Sequence, residues 1–285
     1  MIYEIKKGNV KISADTFGAE LHSVQLNDTE YLWQCGDAWK RYAPILFPFV
    51  SSPKDRTYKA KGKTYKMKAN HGFARDMEFS FDSKTEDSIS FVLCDNEETL
   101  AQYPYSFKLT VKYTALENGV KVENIVNNTG SDDMYFYLGG HPAFNCPITE
   151  NEIFDDYYVE YEKNEHITQN IGGETKVLVD DGNIIDISRK LFDNDAIILD
   201  DPNSKAVSLK SKKSNHSVTV EYPQSHCIAV WAPTADDRAS FVCLEPWTSV
   251  PVDFDNDYEN IEEKPHAVKL EAGSEFGYSY TIKVK

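Results

Sequence analysis

The 285-residue chain carries a formal charge of −16, so it lacks the basic field that a nucleic-acid or acidic-membrane surface requires. Its composition is globular, 41% hydrophobic and 27% charged, and its 17 Tyr and 15 Phe favour strands. No segment reaches transmembrane length and Met1–Lys7 has no apolar signal-peptide core, which predicts a cytoplasmic protein with no membrane partner.

Residues 2–13 alternate around the turn Lys7-Gly8-Asn9, with Ile2, Ile5, Val10 and Ile12 apolar, and read as a strand pair. Phe17 to Leu26 continues as strand, and Asn27-Asp28-Thr29 turns into Tyr31-Leu32-Trp33. The run from Trp39 to Val50 holds Pro44 and Pro48, which disfavour a central strand or a helix; a buried edge or irregular wall is expected. Residues 57–68 read as a hairpin about Lys61-Gly62-Lys63, whose lysines fall at period two on a solvated face rather than forming a nucleic-acid patch. Further strands are expected around Phe79–Phe81, Ile89–Leu93, Phe107–Tyr113 and Val120–Ile125, the last two joined at Glu117-Asn118-Gly119. Residues 95–103 are the best helical turn, stopped by Pro104. The second half adds strands near 155–161, 196–200, 206–210, 216–222, 226–232, 239–245, 266–271 and 276–284. Closely spaced strands without a long amphipathic helix or a composition break predict one all-β domain over 1–285, a sandwich or barrel.

Three stretches carry chemistry. Tyr137-Leu138-Gly139-Gly140-His141-Pro142-Ala143-Phe144 ends a strand at two glycines and holds an imidazole on a stiff, proline-containing corner. Asn70-His71-Gly72-Phe73-Ala74-Arg75 places an imidazole and a guanidinium around one glycine. Ser240 to Trp247 is an apolar strand that delivers Glu245 just before Pro246-Trp247, and a carboxylate there is costly unless partnered or functional. Singly, His141 reads as a structural histidine, Arg75 as a surface salt-bridge residue, Glu245 as a rim carboxylate and Trp247 as core. Their joint presence favours a site.

Together with Gly18-Ala19-Glu20-Leu21 and the block from Trp39 through Arg41, Ala43, Pro44 and Leu46 to Pro48, these stretches resemble the aldose 1-epimerases (mutarotases), most closely the bacterial LacX-like branch. The blocks stand in family order from residue 18 to 247, with His-Gly-Phe-Ala-Arg and Gly-His-Pro-Ala-Phe together the most specific. The resemblance implies a galactose-mutarotase-type β-supersandwich with a sugar cleft on a concave sheet. It implies cofactor-free, metal-free interconversion of the α and β anomers of an aldose, with Glu245 as general base and His141 as general acid. His71 and Arg75 would orient sugar hydroxyls, and a carboxylate from Asp193 to Asp195, with Asp195 favoured, would bind the sugar. Val50-Ser51-Ser52-Pro53 and Pro251-Val252 depart from the family pattern and bear on substrate contacts.

The chemistry agrees with this inventory. Opening a pyranose hemiacetal removes a proton from the C1 hydroxyl and delivers one to the ring oxygen, which one carboxylate and one imidazole can do if their pKa values lie on opposite sides of the working pH. Phe73, Trp231 or Trp247 would pack against the sugar. Two other readings share the fold: a hexose 6-phosphate epimerase using Arg41, Lys54, Arg56 and Arg75, and a catalytically silent sugar-binding protein. A glycosidase needs a carboxylate pair that no motif singles out. The chain has no GxGxxG, no HExxH and no phosphate loop, and its five cysteines, Cys35, Cys94, Cys146, Cys227 and Cys243, have no CxxC spacing.

Overall fold

The computed structural model describes residues 1–234 and 239–285, and its described residues form mainly antiparallel sheet. The largest sheet has nine strands, in the order Glu174–Asp186, Tyr157–Ile171, Ala206–Ser211, Ser217–Glu221, Glu275–Val284, Gly119–Asn128, Phe107–Leu116, Ser88–Cys94 and Ser80–Lys84. Its central strands alternate as the sequence does: Phe107, Leu109, Val111 and Tyr113 are buried, as are Val120, Val122 and Val126 on the partner. These side chains belong to one apolar cluster reaching from Ile5 to Val284. The fold is the all-β architecture expected, with one four-residue α-helix, Glu97–Leu100, among the described residues. Asn96 caps that helix by accepting from Thr99 N–H at 3.0 Å.

A six-stranded sheet positions the chemistry. Ile197–Asp200, Cys227–Trp231, Phe241–Trp247, Gly139–Gly140 and Ile45–Leu46 lie side by side, and Ala143–Asn145 pairs with Phe241–Trp247. The proline-framed run is indeed the buried edge of this sheet: only Ile45–Leu46 pairs as strand, while Ala43 to Val50 is buried throughout.

Two sequence expectations need correction. The strand after residue 17 starts only at Leu21, because residues 16–20 turn tightly, with Ala19 N–H donating to the Thr16 carbonyl. The strand near 155–161 runs on to Ile171 and pairs with Glu174–Asp186, a strand the sequence pattern does not announce. That partner strand is largely solvent-facing and its register slips three times, so neither an apolar face nor a clean period of two marks it.

Candidate active site

Glu245 sits in a strand whose seven residues are all buried. It stands opposite Ala229 on one neighbouring strand. His141 arrives from the other side. Gly139 pairs with both Leu46 and Trp247, and His141 N–H donates to the Pro44 carbonyl at 3.0 Å. Glycine is needed here for room: a Cβ at Gly140 would lie 2.5 Å from the Tyr280 hydroxyl. The result is a close pair, His141 Nε2 3.3 Å from Glu245 Oε2, with side chains 9% and 3% exposed.

His71 is placed by a second device. Gly72, at φ +76°, bridges Phe47, and any Cβ there would sit 2.1 Å from the Phe47 carbonyl oxygen. Phe73 and Ala74 N–H both donate to that oxygen. His71 and Ser51 each adopt φ 61° and lock reciprocally, His71 N–H to the Ser51 carbonyl at 2.7 Å and Ser51 N–H to His71 Nδ1 at 3.0 Å. Since Nδ1 accepts, the ring proton belongs on Nε2, which makes His71 a neutral donor at its other nitrogen. Burial, reinforced by Arg75, pushes its pKa down to about 3. Arg75 follows on the turn Ala74–Asp76, fixed by Arg41 Nη1 donating to the Arg75 carbonyl at 2.8 Å. Arg41 itself is held by Asp76, and Glu20 pins the neighbouring chain by accepting from Tyr42 and Ala43 N–H at 2.7 and 3.0 Å.

These groups share one cavity of about 400 Å³, lined by His71, Arg75, His141, Asp195 and Glu245 together with Trp39, Ser51, Asn70, Ala196, Ile198, Trp231, Trp247, Pro251 and Asp253. All five residues selected from sequence therefore converge. Asp195 lines the cavity and Asp193, solvent-exposed, does not. A larger cavity of about 530 Å³ between Pro53–Lys59 and Asn256–Lys264 holds none of the five.

Electrostatically, burial shifts both members of the pair. Burial, then the Asp195 charge, pushes Glu245 well above its ordinary value. Burial, then His71 and Arg75, pushes His141 well below its own. The carboxyl is thus raised and the imidazole lowered, because both groups lie where any net charge is poorly solvated. Trp39 stacks on the His141 ring at 5.0 Å and 30°, and Trp231 meets it edge-on at 5.8 Å.

Several lining residues escaped sequence reasoning. Trp39, Asn70 and Ser51 were visible only as parts of motifs, and Asp253 was not singled out. The two departures from the family pattern do reach the cavity, through Ser51 and Pro251. Phe73, expected against a sugar, instead packs in the core on Phe47 and Phe107. Cys243, two residues before Glu245 on the same strand face, lies beneath the pair; one ligand atom each from His141, Cys243 and Glu245 fall within 4.8 Å of one another. Arg75 Nε, His141 Nδ1 and Trp247 Nε1 are buried without hydrogen-bond partners. All three residues line the cavity.

A buried carboxylate–imidazole pair at the floor of a polar cavity on an all-β sheet fits acid–base work on a small polar molecule. The chain belongs to the aldose 1-epimerase family, whose profile matches residues 1–281. Among particular relatives, it is 31% identical over 286 residues to the plasmid-encoded protein LacX of Lactococcus lactis subsp. lactis, covering 95% of each chain. A galactose mutarotase related enzyme from Lactobacillus acidophilus superposes with a TM-score of 0.91 at 31% identity, covering 100% of this chain and 97% of the other. A galactose mutarotase-like protein from Lactobacillus casei gives 0.90 at 29% identity, covering both chains fully.

Proposed function

We propose that the chain is a cofactor-independent aldose 1-epimerase in which Glu245 is the base and His141 the acid. The observation that carries this reading is the buried 3.3 Å pair at the floor of the cavity. Such a pair has four protonation states. The doubly protonated and the empty states leave net charge in a poorly solvated place, so burial favours the two states with one proton. One proton is what the reaction requires. In the carboxylate–imidazolium form, Glu245 takes the C1 hydroxyl proton while His141 protonates the ring oxygen and the C1–O5 bond breaks. The pair then stands as carboxylic acid and neutral imidazole. After rotation about C1–C2, the same transfers run backwards and close the ring as the other anomer, so the pair needs no outside proton. The Trp39 face stacked on His141 favours the transient imidazolium by a cation–π contact.

Around this pair, the neutral His71 donates a hydrogen bond to one sugar hydroxyl, Arg75 donates to others, and the Asp195 carboxylate accepts from a third. Trp231 and Trp247 supply apolar faces. Polarimetry on fresh α-D-glucose and α-D-galactose tests the proposal, with Glu245→Gln in parallel. Faster approach to equilibrium rotation, lost in the variant, is expected. No acceleration on either sugar, followed by none on hexose 6-phosphates, would leave the silent sugar-binding reading.

A further inference from the structure

Cys243 has no role in this chemistry, yet it belongs to the geometry of the pair. It leaves the strand on the same side as Glu245, and its ligand atom, with one each from Glu245 and His141, lies within a common 4.8 Å. His141 Nε2 and Glu245 Oε2 are already 3.3 Å apart. Around a tetrahedral zinc ion, with bonds of about 2.0–2.3 Å, donor atoms stand roughly 3.4–3.6 Å from each other. The cluster therefore has to tighten by about an ångström at its widest edge. We propose that His141, Cys243 and Glu245 form a binding site for a thiophilic divalent cation of the zinc class, and that its occupancy switches epimerisation off.

Charge and access both favour it. A dication held by one thiolate, one carboxylate and one neutral imidazole is a neutral unit, which suits a site where separate charges are poorly solvated. Binding releases two protons, one from the thiol and one from the His141–Glu245 pair, so the charges balance. His141 and Glu245 line the cavity while the buried Cys243 does not, so a fourth ligand, water or a sugar hydroxyl, would come from the cavity side, as in zinc sites with three protein ligands. Cys243 itself packs with Ala143, Ala239 and Phe241 in an apolar bed. A hard cation such as magnesium, which demands oxygen ligands, is not accommodated. The ion would occupy the lone pairs that proton transfer uses, so inhibition rests on the epimerase reading; binding does not.

The test uses the full chain with Cys35 and Cys94, the two cysteines that are not buried, changed to Ser. Titration with cadmium is followed by the ultraviolet thiolate-to-cadmium charge-transfer band. Saturation at one cadmium per chain is expected, with the band abolished by adding Cys243→Ala. Should that variant fail to fold, Glu245→Gln gives the second reading: the band persists but needs at least about tenfold more cadmium. Absence of a stoichiometric band, or a band undiminished in Cys243→Ala, overturns the site. Zinc should slow mutarotation at least tenfold, reversibly with chelator, and leave Cys243→Ala unaffected; a zinc-loaded protein with an unchanged rate overturns the switch. If the metal-free protein epimerises no sugar, the functional reading fails while the cadmium band still decides the site.

Discussion

Two buried carboxylates in this fold each meet a histidine, and their surroundings are opposite. Asp255 is saturated: it accepts from the Tyr137 hydroxyl and from His266 N–H at 3.3 Å, and His266 Nδ1 lies 2.7 Å from its Oδ1. Its histidine is 42% exposed and its backbone carbonyl takes the Lys264 ammonium at 2.5 Å. Glu245 instead faces one imidazole at 3.3 Å, in a pair that is less than a tenth exposed, and its pKa is driven well above the ordinary range by burial. A carboxylate whose acceptor sites are filled is a structural clamp, here tying the turn Val252–Asp255 to the strand that leads to His141. A buried carboxylate short of donors is poised to exchange a proton.

The largest expected effect separates the two. Glu245→Gln should lower kcat by roughly 10²–10⁴-fold. Its thermal stability should stay within about 1 kcal/mol, because glutamine keeps the shape of the side chain and removes the cost of a buried charge. Asp255→Asn should do the reverse. It removes an acceptor from Tyr137 and His266, costing about 1–3 kcal/mol in denaturant unfolding, while kcat on a responsive sugar stays within several-fold. An Asp255→Asn enzyme that keeps wild-type stability but loses turnover would erase the distinction.

The pH profile sharpens the same contrast. Burial resists a second proton on His141 and holds the last proton on Glu245, so the pair favours its one-proton states. The kcat/KM profile should be bell-shaped, falling on the acid side where the second proton binds and on the alkaline side where the last proton leaves. A flat profile between about pH 4.5 and 8.5 that also survives His141→Ala would remove the pair from the proton transfer.

Much of this was legible in the chain because strand periodicity is local. The buried Phe107–Tyr113 face, Val120 and Val122, and the lysine hairpin follow from alternation, and the sheet-edge role of the proline-framed run follows from its prolines; Ile125, read as part of the apolar face, is only half-buried, and Val126 takes that place. Glu174–Asp186 was not legible, since a ribbon with solvent on both sides needs no apolar face. In the site, motifs led to the five residues that converge. Ser51 and Asn70 lay in stretches already singled out but had no role assigned, and Asp253 was passed over, because only the tertiary fold brings the three to one cavity. Proton affinities were hidden for a related reason: residue type fixes the reference pKa, but burial fixes the direction of the shift, here up for Glu245 and down for His141. Cys243 was passed over although period two puts it on the Glu245 face, because the five cysteines were weighed only by their spacing from one another.

The smallest effect concerns His71, whose imidazole is held neutral by burial and by the Arg75 charge, with its pKa near 3. In the unfolded chain the ring titrates near its ordinary value of about 6.5. Between these two values the unfolded state binds a proton that the folded state excludes, so stability falls as pH drops from 6.5 toward 3. His71→Asn removes that loss without disturbing the local backbone. Asparagine tolerates the left-handed φ of 61° found here, and its side-chain oxygen accepts from Ser51 N–H much as Nδ1 does. The drop in melting temperature between pH 7 and pH 4.5 should therefore be about 2–4 °C smaller in the variant. An identical drop in both proteins would mean that His71 gains its proton without leaving the fold, and would make it a poor candidate for a fixed neutral donor to the sugar.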